Sequence, residues 1–114
     1  MIQLKNVSKS IQLKDRQLNI LKNISFDLNS NNITLLYGKS GSGKTTLLHI
    51  LSGLDQPTTG GCIINGVTIS DLSVDHRAEF RLQNIGMVYQ FFNLIPNLTI
   101  FENIKLPLIL DRKK

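Results

Sequence analysis

A chain of 114 residues, 41% hydrophobic and 18% charged, has the make-up of one small globular domain, which excludes a disordered or low-complexity polymer. No run approaches the ~18 apolar residues of a membrane span and the opening MIQLKNVSKS has no apolar secretory core, so the chain reads as cytosolic. The net charge of +5 raises nucleic acid or an anionic membrane as partners. Its 13 Lys and Arg are dispersed, apart from Arg112-Lys113-Lys114, without aromatic interleaving, so solvated charge is the better account and no nucleic acid is expected.

Ile2 to Ser8 reads as a strand, Ser10 to Gln17 as polar and turn-like, and Leu18 to Leu28 as a second strand with Ile24, Phe26 and Leu28 alternating. Strands this close in sequence pair most simply as an antiparallel ribbon. Asn29-Ser30-Asn31-Asn32 is a turn cluster. Ile33-Thr34-Leu35-Leu36-Tyr37, apolar but for one threonine, predicts a strand buried on both faces, as in a parallel sheet. A glycine loop follows. Then comes a helix from near Lys44, with Leu47, Leu48, Ile50, Leu51 and Leu54 at spacings of three and four and a stop at Gly53.

Asp55 to Gly61 reads as loop. Cys62-Ile63-Ile64, Asn65-Gly66 and Val67-Thr68-Ile69 make a hairpin signal, because Asn-Gly supplies both positive-φ positions of a type I′ turn. Cys62, the single cysteine, is expected to be a buried reduced thiol rather than a nucleophile or metal ligand. Ser73 is expected to cap a helix over Val74 to Gln83, with Asp75 in its first turn. Ile85 to Tyr89 predicts a second short buried strand, ending in Gln90. Phe91 to Leu98 is too apolar for a free loop and should pack on something, inside the chain or in a partner. Thr99-Ile100-Phe101-Glu102 is a capping box, predicting a helix to about Leu106, before Pro107. No internal repeat or interdomain linker is evident.

The chemistry concentrates in Gly38-Lys39-Ser40-Gly41-Ser42-Gly43-Lys44-Thr45, which fits G-x-x-x-x-G-K-[ST] at every fixed position between a predicted strand and a predicted helix. Its glycines permit close backbone approach to a ligand. The N–H groups from about Gly41 to Thr46 are expected to form an anion nest, reinforced by the positive end of the helix. Lys44 can reach the β- and γ-phosphates as a mobile charge, and the Thr45 hydroxyl suits Mg²⁺. A flexible Gly/Ser loop that binds nothing would not require this strand–loop–helix setting. The residues predict a nucleoside-triphosphate site.

LKNVSKS, LKNISFDL, GKSGSGKTTLLHILSGLDQPTTG, IINGVTI and IGMVYQFFNLIPNLTIFENIKLPL occur in that order over nearly the whole chain. Together they resemble the N-terminal half of the ATP-binding subunit of an ABC transporter. Within that family the likeness is to the subfamily that powers lipoprotein release, macrolide-type export and peptide or bacteriocin export. The resemblance implies an α/β fold across 1–114: an incomplete P-loop NTPase core with an N-terminal antiparallel β subdomain. It implies ATP and Mg²⁺ as ligands, a transmembrane permease and a second ATP-binding subunit as partners, and a cytoplasmic place on the inner face of the cell membrane.

Position by position, the resemblance implies that Gly38, Ser40, Gly41, Ser42, Gly43, Lys44, Thr45 and Thr46 hold the nucleotide. Thr45 binds Mg²⁺, Thr46 contacts the α-phosphate, and Ser40 lies near the γ-phosphate, facing a partner subunit. Gln90 matches the glutamine that senses Mg²⁺ and the attacking water, a role suited to a neutral amide that both donates and accepts. Lys44 and Gln90 are therefore the expected catalytic residues, and Thr45 and Gln90 the expected metal ligands. Ile11 stands where the family places an aromatic ring for adenine; it can pack on a base but has no π face.

The family's signature sequence, its aspartate-ended strand with the catalytic glutamate, and its switch histidine are not matched. His49 and His76 stand at the wrong places for the switch, and Glu79 and Glu102 lie in predicted helices. The expectation is a fragment, a truncated product or one half of a split subunit, with too few sheet neighbours for its central strands and negligible turnover alone. A non-hydrolysing nucleotide-binding or docking module is the alternative. A phosphate-loop kinase or GTPase would have no use for Gln90 and would need a guanine-reading N-K-x-D segment, which is missing.

Overall fold

The computed structural model describes residues 1–111; the terminal Arg112-Lys113-Lys114 lies outside them. A four-stranded antiparallel sheet in the order β2-β1-β3-β4 forms from β1 (Ile2–Gln12), β2 (Gln17–Leu28), β3 (Thr59–Ile64) and β4 (Val67–Thr68). The helices are α1 (Lys44–Leu51), α2 (Val74–Asn84) and α3 (Ile100–Leu110), with one 3₁₀ turn at Ile69–Asp71. Leu4, Val7, Leu21, Cys62 and Ile64 bury their side chains from the sheet, and Leu47 and Ile50 of α1 and Ile69 join them in one core. The fold is α/β, a partial P-loop NTPase core with an antiparallel β subdomain, as the sequence predicts.

The ribbon is longer and more curved than its apolar pattern suggests. Leu4-Lys5-Asn6-Val7-Ser8 and Leu21-Lys22-Asn23-Ile24-Ser25 are near-copies running in opposite directions, a short repeat the sequence reading passed over. Asn6 and Asn23 both take left-handed backbone, φ 50° and 47°. Asn6 N–H donates to Ser25 Oγ at 2.8 Å, and Asn23 N–H donates to Ser8 Oγ at 2.9 Å. A local two-fold thus relates two bulges about the Val7–Ile24 pair, and each serine closes the opposite bulge. Asparagine tolerates this conformation better than other side-chain-bearing residues.

Gly60 is forced by crowding as well as by φ: a Cβ there would sit 2.3 Å from the Asn6 carbonyl oxygen as β3 crosses the first bulge. The α1 terminus fits its reading. Gly53 N–H donates to the Ile50 carbonyl and Leu54 N–H to that of His49, a Schellman stop with Gly53 at φ 69°, so Leu54 falls outside the helix. Lys9 then ties the following loop to β1 through the Asp55 carboxylate and the Gln56 carbonyl, both at 2.7 Å. Asn65 (φ 49°) and Gly66 (φ 84°) make the expected I′ hairpin, though Ile69 has left the strand for the 3₁₀ turn. Ser73 caps α2, and Arg81 donates to the Gly53 carbonyl at 2.8 Å, fastening α2 to the end of α1.

Three expectations fail. Ile33–Tyr37 and Ile85–Tyr89 form no strand; Ile33 is 103% and Val88 99% exposed. An extended apolar segment becomes a buried strand only when neighbours take up its N–H and C=O groups, and among the described residues none lies alongside. Nor does Phe91–Leu98 pack inside the chain, Phe92 being 92% exposed. Finally, α3 runs through Pro107, and Asp111 N–H donates to the Pro107 carbonyl. The last turn is exposed, so solvent can satisfy the carbonyl that proline leaves without a donor.

Candidate nucleotide-binding site

The glycine loop closes over its own lysine. The Lys44 ammonium donates to the carbonyls of Gly38 at 2.8 Å and Lys39 at 2.7 Å, which holds a positive charge inside the curl of the loop. Gly41 (φ 77°) and Gly43 (φ 89°) take left-handed backbone, turning successive N–H groups inward. Ser42 N–H bonds back to the Lys39 carbonyl at 3.3 Å. The N–H groups of Gly41, Gly43, Lys44, Thr45 and Thr46 make no hydrogen bond among the described residues.

Gly43 is the N-cap of α1 without a capping side chain, and the first turn of α1 carries no acidic residue. Unbonded amides, a helix N-terminus and a lysine therefore converge with no anion of the chain's own to neutralise them. That arrangement fits a run of phosphates. The Thr45 side chain is exposed and its hydroxyl unbonded, which suits one ligand position on a divalent cation. Among the described residues no group of three or more His, Cys, Asp or Glu could hold a metal, so such a cation would share phosphate oxygens rather than sit in a protein cage.

The loop is seated on β2. A Cβ at Gly43 would lie 2.9 Å from Leu21 Cδ2 and 3.2 Å from the Ile20 carbonyl oxygen, so this glycine permits the close approach. Ser40 and Ser42 are exposed on the loop's outer side. Ile11 lies on β1 at 45% exposure, directly across from Leu18 of β2 at 49%. Leu18 was not singled out from the sequence; its signal there is one apolar residue opening the second strand. Gln90 falls on an exposed bend, and no hydrogen bond ties it to the loop. The structure therefore brings together Gly38 through Thr46 and leaves Gln90 apart.

Cys62 is buried in β3, and burial pushes its thiol up to about 11, as a packed, unreactive cysteine requires. His49, His76, Glu79 and Glu102 do not join the loop: the His76 ring meets Ser73, Glu79 meets Gln83, and Glu102 completes the Thr99 cap. No helix among the described residues is long and apolar enough to cross a membrane.

Known proteins carry the same arrangement. The family described as ABC transporter matches residues 21–114. The lipoprotein-releasing system ATP-binding protein LolD of Buchnera aphidicola subsp. Acyrthosiphon pisum (strain APS) is 44% identical over 108 residues, 95% of this chain and 47% of that protein. The dimeric structure of a post-hydrolysis state of the ATP-binding cassette MJ0796 bound to ADP and Pi superposes with a TM-score of 0.95 at 39% identity, over 100% of this chain and 49% of that one. A second dimeric structure of MJ0796, a bacterial ABC transporter cassette, gives 0.95 at 40% identity with the same coverage. The chain spans about half the length of these relatives. On fold, loop and family match together, it belongs to the ABC transporter family, on the side of the ATP-binding component.

Proposed function

We propose that the chain is the phosphate-gripping part of an ATP-binding cassette, whose whole protein couples Mg·ATP binding and hydrolysis to export across a membrane. The observation that carries this reading is the set of unbonded amides from Gly41 to Thr46 around the Lys44 ammonium. Lys44 would exchange its two carbonyl partners for the β- and γ-phosphates, where a mobile charge stabilises the anion more than it stabilises neutral oxygens. Thr46 would meet the α-phosphate, and Ser40 on the outer side would face the γ-phosphate and a partner subunit. Thr45 would hold Mg²⁺, which when bound neutralises phosphate charge. Gln90 would have to swing in from its exposed bend to reach the metal and the attacking water.

The likeness to a lipoprotein-releasing ATP-binding protein and to a dimeric cassette supports a transmembrane permease and a second ATP-binding subunit as partners, at the cytoplasmic face of the membrane. Turnover is a separate matter. No carboxylate sits in the first turn of α1, and phosphoryl transfer needs a group that positions or activates water. The 114-residue chain is therefore expected to bind Mg·ATP and to release phosphate at no more than the rate of buffer. Fluorescent-ATP binding and phosphate release, measured on wild type and Lys44→Ala, test both statements. Equal binding by the variant would remove the loop from the account, and steady turnover that Lys44→Ala abolishes would remove the non-hydrolytic part.

A further inference from the structure

Gly43 meets Ile20 and Leu21 of β2, so a nucleotide held in the loop has the β1–β2 ribbon as its nearest wall. The ribbon carries a bulge where Lys9 faces Leu21 and Ser10 faces Asn19, which leaves Ile20 as the extra residue and turns both Ile20 and Leu21 toward Gly43. Strand alternation puts Leu18 on that same side, and its cross-strand partner Ile11 with it. Both side chains are about half exposed, so the wall presents a small aliphatic surface beside the loop.

Neither residue has a π face or a hydrogen-bonding group. The polar residues next to them on the strands are engaged elsewhere: the Gln17 amide donates to Ser10 Oγ at 2.8 Å, and the Gln12 amide donates to the Leu13 carbonyl at 3.1 Å. Discrimination among bases requires polar groups that a wrong base leaves unpaired, whereas aliphatic contact distinguishes ring systems poorly.

Resting on the reading of the loop as a triphosphate site, we propose that this chain accepts nucleoside triphosphates as a class, gripping the phosphates and treating the base as an apolar plate against Ile11 and Leu18. ATP would be one substrate among several.

Competition of Mg·ATP, Mg·GTP, Mg·CTP and Mg·UTP against a fluorescent ATP analogue on the 114-residue chain decides the matter. The expected result is four dissociation constants within about fivefold of one another, because only aliphatic contact and phosphate grip contribute. Ile11→Tyr, a surface change that leaves the core intact, is expected to tighten ATP and GTP by about tenfold and CTP and UTP less, since stacking scales with ring area. Preference of the wild-type chain for ATP over CTP by more than about thirtyfold would overturn the proposal while leaving the triphosphate site standing. An Ile11→Tyr variant whose four constants match wild type would overturn the place given to the base. No competition by any of the four would overturn both this inference and the reading beneath it.

Discussion

Asp55 illustrates how single residues hold the strands in place around the loop. Burial alone would push its carboxyl up, but the Lys9 ammonium, the Gln56 N–H and the charges of Lys9 and His49 outweigh it and hold the group below its ordinary 3.8. A carboxylate lowered by folding stabilises above its unfolded pKa, and that contribution fades as pH falls through the folded one. Wild type is therefore expected to melt above Asp55→Asn at pH 7 and to converge with it below about pH 4; the gap should be no more than about 0.5 kcal/mol, because the Asp55 side chain is 41% exposed. Gly60 and Gly66 separate crowding from backbone strain. Both have positive φ, yet a Cβ at Gly66 meets nothing within 4 Å while one at Gly60 strikes Asn6. In chemical denaturation, Gly66→Ala should cost about 1 kcal/mol and Gly60→Ala about 3 or more. Equal costs would mean that β3 does not press on the bulge.

The helices differ in what their caps support. α2 reaches the core through Phe80 and the buried Arg77, whereas α3 buries no residue. Removing the Ser73 cap should lower global stability by about 1 kcal/mol. Removing Thr99 should fray α3, seen as lost helical circular dichroism, while the main unfolding transition stays in place. Both caps were legible in sequence because capping is local chemistry: a hydroxyl, a short spacing and an N–H. The Gly53 stop and the Asn65-Gly66 turn were legible for the same reason. The paired bulges were not, because near-identical pentapeptides become a two-fold only once the strands fold back on each other. Ile33–Tyr37 was misjudged for a related reason, since five apolar residues specify a wish to be covered but not a neighbour that covers them. At the candidate site the motif made Gly38 to Thr46 readable, whereas Leu18 became visible only through its register with Ile11.

Across the whole molecule, the uncovered apolar surface is the dominant feature. Ile33, Leu35 and Tyr37, then Val88, Phe91 and Phe92, and the α3 residues Ile100, Phe101, Ile104 and Leu108 are all largely exposed. Apolar patches of this extent on isolated chains drive association. The purified chain is expected to bind an apolar dye such as ANS and to form larger species as its concentration rises, by light scattering. A monodisperse monomer that ignores the dye would show that these surfaces are covered in solution. The loop stands apart from that surface, seated on the closed β ribbon at Gly43. Its main-chain amides are the part of the molecule on which the functional account rests, and amide hydrogen exchange reads them directly. With Mg·ATP added, slowed exchange at Gly41 through Thr46, abolished by Lys44→Ala, is the predicted result. Unchanged exchange at those amides under saturating nucleotide would contradict it.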